Sequence, residues 1–390
     1  MPQTFHHDRF TWLAYLALAF YGYYLNVLGP ITPFLKTELH LTYTVSSFHF
    51  TAFAVGILLI GLIGHLLIQY IGQSRALWLG LFGMSLSALL LSFGTSPIIT
   101  IGASFLMGLI GSLILAIVPA ALSNQHGEAR AVALSEANMV ASVFATSAPL
   151  LVGWFAHSIG NWRWALGIMA PMPILMFLIF GKDSRSTTTH INTEAAPMDR
   201  GLPALYWIYW VALMLGVSVE FCMVFWSANY LEQTSGMIKA DAAQAVSLFL
   251  FAMILGRILG SRLVQRFSAR GVVTAAILIA GMGFIAFWRA TNTILALSGL
   301  FITGLGVANL YPLILSLAIS TAPGNTVQAG ARATLASGTA ILALPLVLGW
   351  LADAVGIHLA YGLVLLLLIS IFLIHKFAPG ISPARRSVIR

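Results

Sequence analysis

Long apolar runs separated by short polar breaks dominate this chain, and that pattern predicts helices that cross a membrane. Twelve runs can be drawn: 11–34, 45–69, 76–94, 97–123, 131–156, 162–181, 204–229, 242–265, 271–289, 293–319, 331–355 and 358–377. A helix needs about 20 apolar residues to span the hydrocarbon core. The runs are unbroken rather than alternating, which argues against the strands of a membrane barrel. The longest polar stretch, 182–203, is rich in Ser, Thr and charge and divides the runs six and six. The predicted fold is an all-α membrane protein with twelve transmembrane helices in two pseudo-symmetric six-helix bundles. Residues 1–181 form the first bundle, 182–203 a cytoplasmic linker, 204–377 the second bundle and 378–390 a cytoplasmic tail.

A single offset of 196 relates the two halves. Gly153, Trp154, Ala156 and Gly160 of GWFAHSIG match Gly349, Trp350, Ala352 and Gly356 of GWLADAVG. The same offset carries Pro149 to Pro345, Gly108 to Gly304, Gly64 to Gly260, Leu67 to Leu263 and Gln69 to Gln265. A duplicated apolar half is how a membrane carrier builds a central site between two rocking bodies.

Composition sharpens this picture. The 390 residues are 59% hydrophobic and 8% charged, with a mean hydropathy of +0.93; soluble domains carry about 25% charge. The net charge of +8 does not indicate nucleic acid, because the basic residues sit between apolar spans. With both termini in the cytoplasm, 14 Lys and Arg lie on the cytoplasmic side, and Lys36, Arg163, Lys239 and Arg289 lie outside. That bias satisfies the positive-inside rule and makes the two halves parallel, related by an axis along the membrane normal. The first run is too long for a cleaved secretory signal and is expected to remain as a span. Cys222 is the only cysteine, so neither an internal disulfide nor a multi-thiolate zinc site is available. No metal-ligand cluster, nucleotide phosphate loop or nucleophile–base pair emerges, so no cofactor, metal or catalytic residue is expected.

Four segments carry a family resemblance: LGPITPFLKTEL (28–39), LGRILGSRLVQRF (255–267), GLGVANLYP (304–312) and PLVLGWLADAVG (345–356). On these the chain resembles the major facilitator superfamily of secondary transporters over essentially its whole length. The resemblance implies a transporter, not an enzyme, with helices 1, 4, 7 and 10 around a cavity and helices 5 and 8 meeting across the two halves. The family's acidic loop between helices 2 and 3 reads GHLLIQYIGQSR (64–75) here, with Gln69 and Tyr70 in place of the acid and base. Ser104 stands where many drug exporters carry an arginine, and the antiporter Gly-Pro is reduced to Ala148-Pro149. These departures point away from a typical drug/proton antiporter.

Ionisable groups in a membrane are costly and face a cavity or a partner. Glu220 lies sixteen residues into the seventh run, where a low dielectric favours the neutral carboxylic acid. It is the proton-coupling candidate, unless neighbouring hydroxyls or Arg257 merely satisfy it. Glu136, Arg257 and Arg332 are cytoplasmic gate candidates: a Glu136–Arg257 pair would latch one state, and the 196 offset pairs Glu136 with Arg332. Arg257 is also a substrate candidate, because guanidinium binds an anionic group with two bonds. Tyr24, Asn26, Trp226, Asn309 and Tyr311 complete the substrate candidates, as sparse polar groups on helices expected to line the cavity. Trp12, Trp162, Trp164 and Trp207 are read as interface anchors.

The resulting expectation is a monomeric carrier in the inner (cytoplasmic) membrane, with lipid as its surroundings and a small organic molecule and protons as its partners. It would work by alternating access, as symporter or antiporter. An uncoupled facilitator or an organic-anion exchanger is the alternative within transport. A non-transporting receptor or membrane-embedded enzyme on the same scaffold is the alternative outside it.

Overall fold

The computed structural model describes residues 6–181, 202–322 and 325–378. The expected linker and tail lie almost wholly outside the described residues. Among the described residues the chain is helical, with no strand.

In the first half, α1 (Arg9–Glu38), α2 (Tyr43–Ile71), α3 (Gln73–Phe93), α4 (Pro97–His126) and α5 (Arg130–Ser158) are long helices. The sixth run is split into α6 (Trp164–Met169) and α7 (Met172–Phe180). The second half continues with α8 (Ala204–Ser235), α9 (Lys239–Leu263) and α10 (Ala269–Trp288). Its tenth run is split into α11 (Thr293–Val307) and α12 (Leu310–Ser320); α13 (Thr326–Val355), α14 (Ile357–Ala360) and α15 (Gly362–Phe377) complete the chain. Each of the twelve apolar runs therefore falls on helix. Nine helical stretches among the described residues are long and apolar enough to cross a bilayer. One of the nine, Pro97–Ser158, carries two runs, while α1 and the split sixth run fall outside the set.

Local chemistry sets the element ends. Asp8 caps α1 by accepting from Thr11 N at 2.8 Å, and Asn292 caps α11 by accepting from Leu295 N at 2.9 Å. Gly160 and Gly356, equivalent under the offset, have φ of 74° and 82°; only glycine takes that left-handed turn cheaply as a helix ends. The sixth run breaks at Pro171, and the tenth breaks just before Pro312, which has no N–H for the carbonyl four residues back.

The packing repeats as the sequence does. In the first half α1 packs on α5, α2 on α4 and α3 on α4; in the second, α8 packs on α13, α9 on α11 and α10 on α11. The halves meet along α1 with α8, and along two equivalent seams, α5 with α9 and α2 with α13. Gly153 and Gly349 hold these seams close. A Cβ on Gly153 would lie 2.3 Å from Ala240 O, and one on Gly349 2.9 Å from Tyr43 O. In lipid, small residues of this kind let backbones approach and pack. Buried residues crowd the first half of α2 and of α9 and thin out toward their other ends. The halves thus close at the end of the α1–α2 loop and diverge toward the end carrying Arg9 and Arg262. On the outer surface Leu178 and Ile294 are exposed, as suits a lipid-facing wall.

Candidate substrate site

Between the halves lies a cavity of about 230 Å³, walled by α1, α4 and α5 on one side and by α8 and α9 on the other. Its first wall presents Tyr21, Asn26, Asn138, Ser142 and Thr146; the opposite wall presents Glu220, Phe221 and Arg257. Apolar Leu18, Leu25, Leu250 and Met253 fill the remaining surface, which matches the usual makeup of a small-molecule site.

Arg257 organises the polar part. Its Nη2 stands 3.9 Å from Glu220 Oε1, with the two side chains 45% and 20% exposed. Its Nη1 donates to Ser142 Oγ on α5 at 3.4 Å, so one guanidinium touches both halves. The contact to Glu220 is loose, and the pair remains open to a third group. Ser142 donates to Asn138 O at 2.8 Å, and Thr146 donates to Ser142 O at 2.8 Å. Hydroxyls that donate to their own helix keep lone pairs for an incoming donor. Asn26 and Asn138 each donate to a carbonyl one turn back, Gly22 O and Leu134 O, both at 2.8 Å.

Of the sequence-derived candidates, the fold brings Glu220, Arg257 and Asn26 to this cavity. Tyr24 lies elsewhere: it is buried, and its hydroxyl donates to Leu166 O at 2.9 Å, fastening α1 to α6. Trp226 donates to Pro345 O at 3.0 Å and stands edge-on to Phe50 of the first half. Asn309 donates to Gly256 O at 2.8 Å and its amide sits against Gly260. Those two glycines leave room for Asn309, and the split tenth run packs behind α9 instead of lining the cavity. Tyr311 packs on the apolar core. The cavity is lined from α1, α4, α5, α8 and α9, so the first, fourth and seventh spans contribute as expected and the tenth contributes none of these lining residues.

The expected Glu136–Arg257 pair is absent here. Glu136 instead accepts from Tyr15 at 3.0 Å and lies 2.6 Å from His7 Nε2, both within the first half, while Arg257 faces Glu220. The exposed Arg332 meets neither; its carbonyl accepts from Trp210 at 2.8 Å. Asn138, Ser142 and Thr146 escaped the sequence reading. Their spacing of four places them on one stripe of α5, which is the signal that would have found them.

Comparison with known proteins agrees with this architecture. An uncharacterized MFS-type transporter of Yersinia pestis is 29% identical over 172 residues, an alignment spanning 42% of this chain and only 44% of that relative. The glucose/mannose transporter GlcP of Bacillus subtilis is 28% identical over 324 residues, 74% of this chain and 75% of its own. A bacterial homologue of the human lysosomal transporter Spinster, solved in an inward-facing and occupied conformation, superposes with a TM-score of 0.77 at 16% identity, covering 96% of this chain and 97% of that one. The sequence profile of the Major Facilitator Superfamily matches residues 14–325. The chain is a multi-pass membrane transporter that belongs to this superfamily.

Proposed function

We propose that the protein is a proton-coupled carrier of a small sugar-like solute in the cytoplasmic membrane, working by alternating access with both termini inside. The observation that carries this reading is Arg257, which faces Glu220 in its own half and Ser142 in the other across the cavity. A proton on Glu220 removes the negative charge that faces Arg257. The guanidinium then turns fully to Ser142 or to solute oxygens, and the halves respond to both occupancies together. Asn26, Asn138 and Thr146 supply the neutral hydrogen-bonding groups that a polyol needs. The sugar class also draws on the glucose/mannose transporter among the relatives. The charge bias supports a cytoplasmic divergent end, and on that reading this structure is an inward-open state.

The test is transport in liposomes under an imposed pH gradient. Glu220→Gln is expected to abolish pH-driven glucose accumulation while leaving counterflow exchange measurable. Unchanged pH-driven accumulation in that variant removes Glu220 from coupling.

A second reading, an organic-anion exchanger centred on Arg257, is favoured by the looseness of its 3.9 Å contact with Glu220. Flux that follows membrane potential and needs a carboxylate on the solute supports it over the first.

A further inference from the structure

The N-terminus of α2 is completed by a residue from the other half of the molecule. A helix starts with four N–H groups that have no helical partner. In α2, Ser46 N makes the first helical bond, to Thr42 O at 3.0 Å, and Val45 N donates to the cap, Thr42 Oγ1, at 3.2 Å. Two of the groups without a helical partner cross the seam: Tyr43 N donates to Asp353 Oδ1 and Thr44 N to Asp353 Oδ2, both at 2.8 Å. Asp353 stands near the end of α13, one turn beyond Gly349, whose missing side chain lets Tyr43 O approach. A carboxylate here meets two backbone donors and the positive end of a helix dipole at once.

The arrangement is one-sided. Under the 196 offset the start of α2 corresponds to the start of α9, and Asp353 corresponds to His157. Helix α9 begins at Lys239 with no side-chain cap on Ile238, and His157 brings no fixed negative charge. The duplicated seams share their glycines but only one carries a carboxylate clasp; the start of α9 is tied to the other half by Lys239 Nζ, which donates to Thr37 Oγ1 at 2.7 Å.

We propose that Asp353 is the latch of the closed end: its carboxylate, capping α2 from the opposite half, holds the α1–α2 loop end shut and sets how often the transporter opens there. Opening moves two N–H groups and a carboxylate from each other into water. Asp353 touches no solute, so its role is to position the halves. The proposal rests on the alternating-access part of the proposed function and is independent of the sugar and proton assignments.

The experiment places nitroxides at Thr95 and Thr291, exposed loop positions equivalent under the offset, in a full-length Cys222→Ala chain in nanodiscs. The distance distribution is read by double electron–electron resonance. Asp353→Asn removes one acceptor and the charge. Tyr43→Pro removes one donor at the first helical position, where proline is well tolerated, with Tyr43→Phe and Tyr43→Ala as controls for the lost hydroxyl and ring. Loss of a cap of ordinary strength enlarges the open population roughly fivefold. We expect that growth in Asp353→Asn and in Tyr43→Pro but not in the two controls, and no further growth when both changes are combined, because they act on one contact. Distributions matching the parent in both single variants overturn the latch. So do effects that simply multiply in the double variant. If Asp353→Asn fails to fold, Tyr43→Pro against its controls decides alone.

Discussion

Two carboxylates sit at the same end of the molecule and are bound in opposite ways. Glu38 ends α1 and takes its hydrogen bonds from the first half: Trp162 Nε1 donates to it at 2.8 Å, and Arg163 donates through Nη1 at 3.1 Å and Nη2 at 2.5 Å, while Lys239 of the second half adds only a through-space attraction. Arg163 is itself anchored by donating to Ser92 O at 2.7 Å. Asp353 reaches across to the other half and meets two backbone N–H groups, with the Thr42 and Thr44 hydroxyls beside them, and no cation among the described residues. A contact inside a rigid half never has to open, so it can use a forked ion pair and an indole. Under the proposed alternating access a contact between halves opens on every cycle, and water replaces a backbone donor at modest cost, net about 1 kcal/mol per bond. The difference separates what keeps each half in shape from what lets the halves part.

The strongest challenge to this division lies where backbones touch across it. A Cβ on Gly29 would stand 2.2 Å from Val224 O and 2.7 Å from Phe225 Cα, atoms that cannot step aside. Gly29→Val is expected to cut initial uptake in liposomes by more than tenfold, an order-of-magnitude figure for disrupting a packed seam, with each half still folded by circular dichroism. Gly61→Ala, with nothing within 4 Å of the added atom, should leave uptake at the parental rate. Equal loss in both would mean that glycine serves flexibility everywhere, not close approach at the seam.

Glu38→Gln probes the other side of the comparison and should be felt in stability alone. Partial burial works against the charged carboxyl, but the Arg163 and Trp162 hydrogen bonds outweigh it and hold Glu38 below the ordinary carboxylate range. A depressed value in the folded state means that this stabilisation is complete above the unfolded carboxyl's titration and fades as pH falls through the folded one. Both side chains are about a third exposed, so solvent screening reduces the effect to about 1 kcal/mol at neutral pH, roughly 2 °C in melting temperature. The deficit should shrink on acidification, and transport per folded molecule should not change. A changed KM in this variant would place Glu38 among the moving contacts.

The smallest expected effect is at Tyr24. Tyr24→Phe leaves the Leu166 carbonyl without its donor, costing about 1 kcal/mol or less, with KM unaltered. A raised KM would return Tyr24 to the substrate site.

The helical runs, the duplication and the family were legible in the chain because they depend on composition and on one constant offset. The inward charges Glu220 and Arg257 were legible because lipid tolerates few alternatives for them. Facing was harder. Tyr24 and Asn26 are two residues apart, about 200° around a helix, so they cannot share a wall; Asn26 lines the cavity and Tyr24 turns to α6. Asn309 carries a polar amide on an expected cavity helix, yet the glycines of α9, distant in sequence, draw it away. The partner of Arg257 depended equally on packing: two acids lay in reach of the reading, and tertiary contacts with Tyr15 and His7 occupy one of them.

The split in the tenth run gives the two halves different mechanics. Its counterpart α4 runs as one continuous helix from Pro97 to His126, with Pro119 inside it. Across Ala308 and Asn309 the tenth run is jointed, and Pro312 keeps it from being restitched. The joint between α11 and α12 thus gives the second half a place to flex that α4 lacks, since α4 is interrupted only by the single Pro119 within its continuous helix.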